Sequence, residues 1–340
     1  MQNLILLCGG DSPEHEISMR SAQNILKALD REKYSVQVIG ISKKGQWFLL
    51  DEASLGSSVP DQGLMVSIHP GSRDCFYISE SSIGPVDVIF PILHGPNGED
   101  GSIQGLIQIL NIPFVGPGVL GSSLCMDKEL AKRVLRQEGI KVAEWILLRK
   151  GDPIPSFEEV VTKLGSVFFV KPANMGSSVG VSRVSNLSDW TIAINEAFSY
   201  DHKVLVEECL IGREMECAVL GNQSPKASGV GEVQSGGVYS YDEKYDKSSS
   251  AKIMIPAEVS EEELEALRST AVSSYKALEC RGLSRVDMFL DKDGVVFVNE
   301  VNTMPGFTSI SMYPQLWENE GLGYTELVNQ LIELAVASPD

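Results

Sequence analysis

The stretch Arg285-Val-Asp287-Met-Phe-Leu-Asp291-Lys-Asp293-Gly294-Val-Val-Phe-Val-Asn-Glu300-Val-Asn302 decides how the chain is read. Apolar and polar residues alternate on either side of Asp293-Gly294, the pattern of a β-hairpin closed by a type I′ turn. With those two residues as the turn, Lys292 faces Val295, Asp287 faces Glu300, and Arg285 faces Asn302. A four-residue loop keeps this pairing, and an odd-length loop breaks it. Val286, Met288, Leu290, Phe297 and Val301 are expected on the buried face. Directly opposed carboxylates have Cβ atoms about 5 Å apart. At an effective dielectric of about 20 they repel by roughly 3 kcal/mol. A hard divalent cation held by Asp287, Glu300 and the Asn302 amide oxygen would offset that repulsion.

A chain of 340 residues has room for two or three domains, each with its own core. With 43% hydrophobic and 22% charged residues it has an ordinary globular composition. The net charge of −18 argues against a nucleic-acid partner, which needs a basic footprint. The six cysteines are scattered, without CxxC or metal-ligand spacing, and most lie in apolar runs as small hydrophobes. No basic n-region precedes the first apolar run, and no run is long enough to span a bilayer. A reduced, cytoplasmic protein is expected.

Strands and helices alternate over the first 120 residues: strands at 4–8, 34–41 and 86–93, helices at 18–29 and 102–110, and a short strand at 113–115. That grammar indicates a parallel sheet with ligands beyond its strand C-termini. Residues 51–84 read as an insertion of loops and short strands. A helix is expected over 122–138. Beyond it strands dominate (167–171, 179–184, 204–207, 214–220), with helices at 189–198, 260–278 and 324–337. Ser260 and Glu263 form a capping box.

Several loops carry chemistry. Lys171-Pro-Ala-Asn-Met-Gly176-Ser177-Ser178-Val179-Gly180 follows an apolar strand, and its small residues let backbone N–H groups approach an anion beside the Lys171 charge. Such a loop is often only a flexible turn, and the preceding lysine tips the reading towards phosphate. Glu207, at a strand end, stands where a backbone edge could read an adenine amino group, and Glu214 could hold ribose hydroxyls. His94 to Gly101 and Gly9 to Glu16 are strand-to-helix turns where an α/β domain places ligands, and Glu14 suits an ammonium. The tyrosine-rich segment 236–250, with Lys244 and Tyr245, suits a lid. Gly306 and the hydroxyls of 302–312 would supply donors to an oxyanion or carboxylate.

In order, GGDSPEHEIS, LHGPNGEDGSIQG, MDK, VKPANMGSSVGVS, VEECLIGRE, EKY, SRVDMF and NEVNTMPGFTS resemble the D-alanine–D-alanine ligases of the ATP-grasp superfamily. The resemblance covers essentially the whole chain. It implies an α/β and α+β fold of three domains, placed here at 1–121 (parallel sheet, substrate), 122–215 (central ATP-grasp) and 216–340 (metal site and lid). It implies ATP bound by Lys128, Lys171, Gly176, Ser178, Val179, Glu207, Leu210, Glu214 and Lys244. Two Mg²⁺ or Mn²⁺ would be held by Asp287, Glu300 and Asn302. Glu14 would bind the ammonium of the first D-alanine, with His94 near its carboxylate. Arg285 and the Gly306 N–H would stabilise a tetrahedral intermediate, Ser311 and Met312 would hold the second D-alanine, and Tyr245 would reach Ser177 and Glu14. Relatives that make D-alanyl-D-lactate tend to lack this tyrosine, so an amine is the expected second nucleophile, with D-alanyl-D-lactate or another D-Ala-D-X product as the alternative. A homodimer is also expected. Glu208 stands where many relatives carry Lys, and Met312 where Leu is usual.

Overall fold

The computed structural model describes residues 1–234 and 252–337, so Lys244 and Tyr245 lie outside the described residues. The apolar run at the start is buried along most of its length, as a strand covered on both faces requires. It forms the second-last strand of a seven-stranded sheet. The members are β1 (Gln2–Gly9), β2 (Tyr34–Ile41), β3 (Trp47–Leu50), β4 (Leu64–Ile68), β5 (Phe76–Ile78), β6 (Ser81–Ser82) and β7 (Val88–Pro91), in the order β6-β5-β4-β3-β2-β1-β7. Only β2-β1-β7 is parallel. From β3 onward the pairing is antiparallel, and the insertion after residue 50 continues it through β4, β5 and β6, which makes the sheet mixed. The expected strand at 113–115 is a single parallel bridge from Phe114 to Ile89.

The helix expected over 122–138 is two helices, Val119–Met126 and Lys128–Gln137, broken at Asp127. Asp127 takes extended backbone, and its carboxylate accepts from the N–H groups of Glu129 and Leu130, both at 3.1 Å. An aspartate satisfies orphan donors at an N-cap better than it serves a helix interior. The break puts Lys128 at a helix start, where its N–H also donates to Ala173 O at 3.0 Å.

A second sheet of four antiparallel strands follows: β8 (Trp145–Arg149), β9 (Phe168–Pro172), β10 (Ser182–Val184) and β11 (Lys203–Glu208), ordered β10-β9-β11-β8. The third, also antiparallel, has β12 (Arg213–Leu220), β13 (Lys226–Gln234), β14 (Lys252–Met254), β15 (Leu283–Leu290) and β16 (Val296–Asn302), ordered β14-β13-β12-β15-β16. The helix Glu261–Ala277 starts with the expected Ser260–Glu263 capping box. One hydrophobic cluster joins Leu4, Leu6 and Phe90 of the first sheet to Phe307, Tyr313, Leu327 and Leu331. The carboxyl-terminal helices are therefore part of the core that supports β1.

The hairpin of β15 and β16 pairs Asp287 with Glu300 and Arg285 with Asn302, as expected, by a different route. Its loop has three residues between Asp291 and Val295, with Gly294 at φ 75°, in place of a two-residue type I′ turn. The Asp291 carboxylate accepts from Asp293 N at 2.9 Å and Val295 N at 2.8 Å, which stabilises the three-residue loop. The odd loop pairs Met288 with Val298, and an extra residue, Asn299, then bulges and restores the Asp287–Glu300 register. Between loop and bulge the faces are exchanged: Val296 and Val298 are buried with Met288 and Leu290, and Phe297 pairs with Phe289 on the other face.

Candidate active site

Glu216 on β12, Asp287 on β15 and Glu300 on β16 are neighbours in register, so one acidic row crosses three strands. Two residues along, Arg285 answers this charge. Its guanidinium meets Asp287 with two hydrogen bonds of 2.7 Å, and Nε stands 2.9 Å from Glu216 Oε2. A two-pronged charge-assisted contact of this kind orients both partners. The Asn302 amide donates to Asp287 Oδ2 at 3.0 Å, and Lys128 Nζ lies 3.8 Å from Glu300 Oε2. Basic side chains thus offset the repulsion for which the sequence suggested a cation. Two opposed carboxylates and an amide oxygen are nevertheless the donor set of a hard divalent ion, so Asp287, Glu300 and Asn302 fit one chemically. Glu216 is a further carboxylate beside them that sequence reading missed; only the β12–β15 register could have revealed it.

A cavity of about 670 Å³ opens between the second and third sheets. Lys128, Lys171, Glu207, Leu210 and Glu214 line it, with the loop Gly176-Ser177-Ser178 at one end and Phe289 and Glu300 on its floor. Val179 adjoins this loop, its N–H donating to Gly176 O at 3.1 Å. Ser177 and Ser178 both hold left-handed backbone, at φ 51° and 59°, a costly conformation for non-glycine residues that clusters at ligand clamps. Lys128 Nζ donates to Met175 O at 2.6 Å, tying the loop to the broken helix.

The Glu207 carboxylate is buried between Lys132 and Lys171, with Lys171 Nζ 2.5 Å from Oε2. Burial alone would raise its pKa, but the two ammonium groups outweigh that and hold it below the usual carboxylate range. Lys132, missed in the sequence, is 1% exposed, and its pKa is lowered chiefly by burial. Its buried position in the Lys128–Gln137 helix was the available signal. Glu207 therefore anchors Lys171 with its side chain, and its own backbone is paired with Phe169 and Trp145 on either side. The backbone edge that could read a base begins after the strand, at Cys209 and Leu210.

A smaller cavity of about 100 Å³ adjoins the first, and Gly176, Ser177, Val233 and Glu300 line both. Glu14, His94, Arg285, Gly306, Ser311 and Met312 lie around it, so six of the sequence-predicted groups converge from residues nearly 300 apart. Glu14 precedes the helix His15–Ala28 and accepts a hydrogen bond from the Ser177 hydroxyl. Ser311 Oγ accepts from Thr308 N at 3.0 Å and lies 2.8 Å from Thr308 Oγ1. A Cβ on Gly306 would stand 2.7 Å from Ser311 Oγ, so a side chain here would displace the Ser311 hydroxyl from its place beside Thr308.

His94 is buried, and its Nδ1 lies 2.9 Å from Met304 O. A carbonyl can only accept, so Nδ1 carries the proton, and Nε2 faces Ser21 Oγ at 3.4 Å. Burial lowers the His94 pKa and keeps the ring neutral. Glu99, also missed, lines this cavity; burial of its carboxyl and the nearby Glu14 push it up to about 8. It lies in the His94 to Gly101 turn, which the sequence marked as a ligand-bearing loop without singling out this carboxylate.

Two facing antiparallel sheets with a glycine-rich loop and paired cations between them define an ATP-grasp protein. Residues 134–333 match the family described as D-ala D-ala ligase C-terminus, and residues 3–117 that described as D-ala D-ala ligase N-terminus. The chain belongs to the D-alanine–D-alanine ligase family. It is 48% identical to D-alanine--D-alanine ligase A of Chromobacterium violaceum and 46% identical to that of Escherichia coli K12, each alignment covering 97% of this chain and 94% of the relative. Among solved structures, the D-alanine-D-alanine ligase from Coxiella burnetii is similar at a TM-score of 0.87 and 38% identity, over 99% of this chain and 95% of that one. The VanG D-Ala:D-Ser ligase from Enterococcus faecalis is similar at 0.89 and 35%, over 98% and 99%.

Proposed function

We propose that this chain joins two D-alanines into D-alanyl-D-alanine with cleavage of ATP to ADP and phosphate, supplying a peptidoglycan precursor in the cytoplasm. The observation that carries the reading is the continuity of the two cavities through Gly176, Ser177 and Glu300. It sets a space lined by phosphate-seeking cations against one lined by groups for an amino acid. No helix among the described residues is long and apolar enough to cross a membrane. We assign the substrate, central and metal-bearing units to 1–121, 122–215 and 216–340, and take the working form to be a homodimer.

In the first step a carboxylate oxygen of the first D-alanine attacks the γ-phosphorus, forming D-alanyl phosphate and releasing ADP. Glu14 holds the ammonium of this substrate. The carboxylate of this substrate is met by Arg285, with His94 beside it as a neutral ring lining the same cavity. Lys128 and Lys171 neutralise the phosphates under the Gly176–Val179 loop; Leu210 flanks the adenine and Glu214 takes the ribose. Two magnesium or manganese ions at Asp287, Glu300 and Asn302 would supply charge neutralisation on the phosphate oxygens. In the second step the unprotonated amine of the second D-alanine, seated by Ser311 and Met312, attacks the acyl carbon. Arg285 and the Gly306 N–H stabilise the oxyanion before phosphate leaves, and chemistry of this kind rests on positioning and charge.

Phosphate release measured with D-alanine, L-alanine, and D-alanine paired with D-lactate or D-serine tests the assignment. Release with D-alanine alone and none with L-alanine is expected; the reverse would overturn it. The D-Ala:D-Ser ligase among the structural neighbours favours a D-Ala-D-X product as the second reading. Product analysis of the mixed reactions separates the two.

A further inference from the structure

The loop that carries Gly306 is held at both ends by side chains from the first third of the chain. At one end the Met304 N–H donates to Glu99 Oε1 at 3.2 Å, and the Met304 carbonyl accepts from His94 Nδ1 at 2.9 Å. Glu99 Oε2 in turn accepts from Gly95 N at 2.7 Å, which fixes the carboxylate to its own turn. At the other end the Phe307 N–H donates to Ser21 Oγ at 3.1 Å. The Phe307 carbonyl accepts from Asn24 Nδ2 at 3.2 Å and from the Tyr324 hydroxyl at 2.6 Å. His94 Nε2 and Ser21 Oγ, 3.4 Å apart, link the two grips. Pro305 and Gly306 are the only residues between them.

We infer that His94, Glu99, Ser21 and Asn24 are positioning residues that fix the Gly306 N–H by gripping both peptide groups of Met304 and of Phe307. Buried backbone donors and acceptors must be paired, and strand neighbours usually do it. This segment follows β16 and has left the ladder, so the pairing comes from a distant part of the chain. The consequence is geometric. Glu14 is the N-cap of the helix that carries Ser21 and Asn24, and so the ammonium site and the oxyanion donor share one rigid support. The inference rests on the ligase reading for its catalytic consequence, and on geometry alone for the grip.

The test uses Glu99→Gln, His94→Ala and His94→Asn in the full chain. Gln keeps one acceptor but presents an amide N–H₂ where an acceptor is needed. Asn restores a donor near the place of Nδ1 and serves as the rescue. Amide hydrogen exchange of the peptide spanning residues 303–307 reads the grip without reference to activity. Faster exchange there is expected in Glu99→Gln and His94→Ala, with protection recovered in His94→Asn. Under saturating ATP and D-alanine, kcat should fall on the order of a hundredfold in the first two, as for a group misplaced by ~1 Å, with KM for ATP within about twofold. If Glu99→Gln does not fold, the two His94 variants carry the test. Unchanged exchange in 303–307 would overturn the grip, and accelerated exchange with unchanged kcat would overturn its role in positioning. Absence of D-alanine-dependent phosphate release by the unmodified enzyme would instead end the ligase reading and leave the exchange result standing.

Discussion

Ser177, in the glycine-rich loop after β9, donates its hydroxyl to Glu14, a residue 163 positions earlier at the head of the first helix. Ser177 lines both cavities and Glu14 the smaller one, so the bond lies where the two meet. Ser177→Ala should leave the fold intact and lower kcat/KM for D-alanine by about tenfold, the worth of one hydrogen bond to a charged group. Initial-rate assays with D-alanine varied at saturating ATP check it; a change confined to KM for ATP would contradict the role given to Glu14.

Glu300→Gln removes one of the two facing carboxylates while keeping its size. ADP release in the presence of D-alanine should vanish, and the variant should no longer bind Mn²⁺ at two sites by electron paramagnetic resonance titration. Undiminished turnover would remove Glu300 from the metal site.

Much of this was open to sequence reading because the motifs combine glycines with charges at strand ends. The opposition of Asp287 and Glu300 was legible for an incomplete reason. The alternation implied an even loop, whereas the chain uses an odd loop and a bulge. The signal was present in Val296, Val298 and Val301: spacings of two and then three mark an extra residue between Val298 and Val301. β13 escaped because Gly229 and Gly231 weaken the strand pattern. Their reason is tertiary, since a Cβ at either would come within 2.8 Å of Glu320 or Met312 on the helix Met312–Asn319 and its end. Lys132 and Glu216 carry no motif, Glu99 is one acid among several in its motif, and the roles of all three arise from which elements pack together.

The Glu99 carboxyl gives stability a pH dependence of unusual sign. Its pKa is about 8 in the folded chain, raised by burial and by the neighbouring charges of Glu14 and Glu300, against 4.5 for an ordinary glutamate. Between those two values the native state holds a proton that the unfolded chain has released. This contribution is therefore full below pH 4.5 and is lost as pH rises through 8, at about 1.4 kcal/mol per pH unit within the window. Thermal melts from pH 5 to 9 should show Glu99→Gln gaining on the unmodified protein as pH rises. A constant difference would refute the assignment.

Lys132→Met leaves Glu207 with Lys171 as its remaining buried counter-charge. Loss of one partner from a buried ionic group costs on the order of 3 kcal/mol, visible as a lower denaturant midpoint. Lys171 should then be drawn more strongly to Glu207, raising KM for ATP several-fold with KM for D-alanine unchanged. Equal effects on both substrates would argue against the Glu207 anchor.

The Asn299 bulge also gives the hairpin length tolerance. It is one residue of slack between two side chains that must stay opposed. A chain lacking Asn299 would straighten into a plain ladder with Asp287 and Glu300 still face to face. A single residue inserted before it would need a second irregularity, or Glu300 would swing into the hydrophobic layer beside Val286. Shortening is thus forgiven along this ribbon, and lengthening is not.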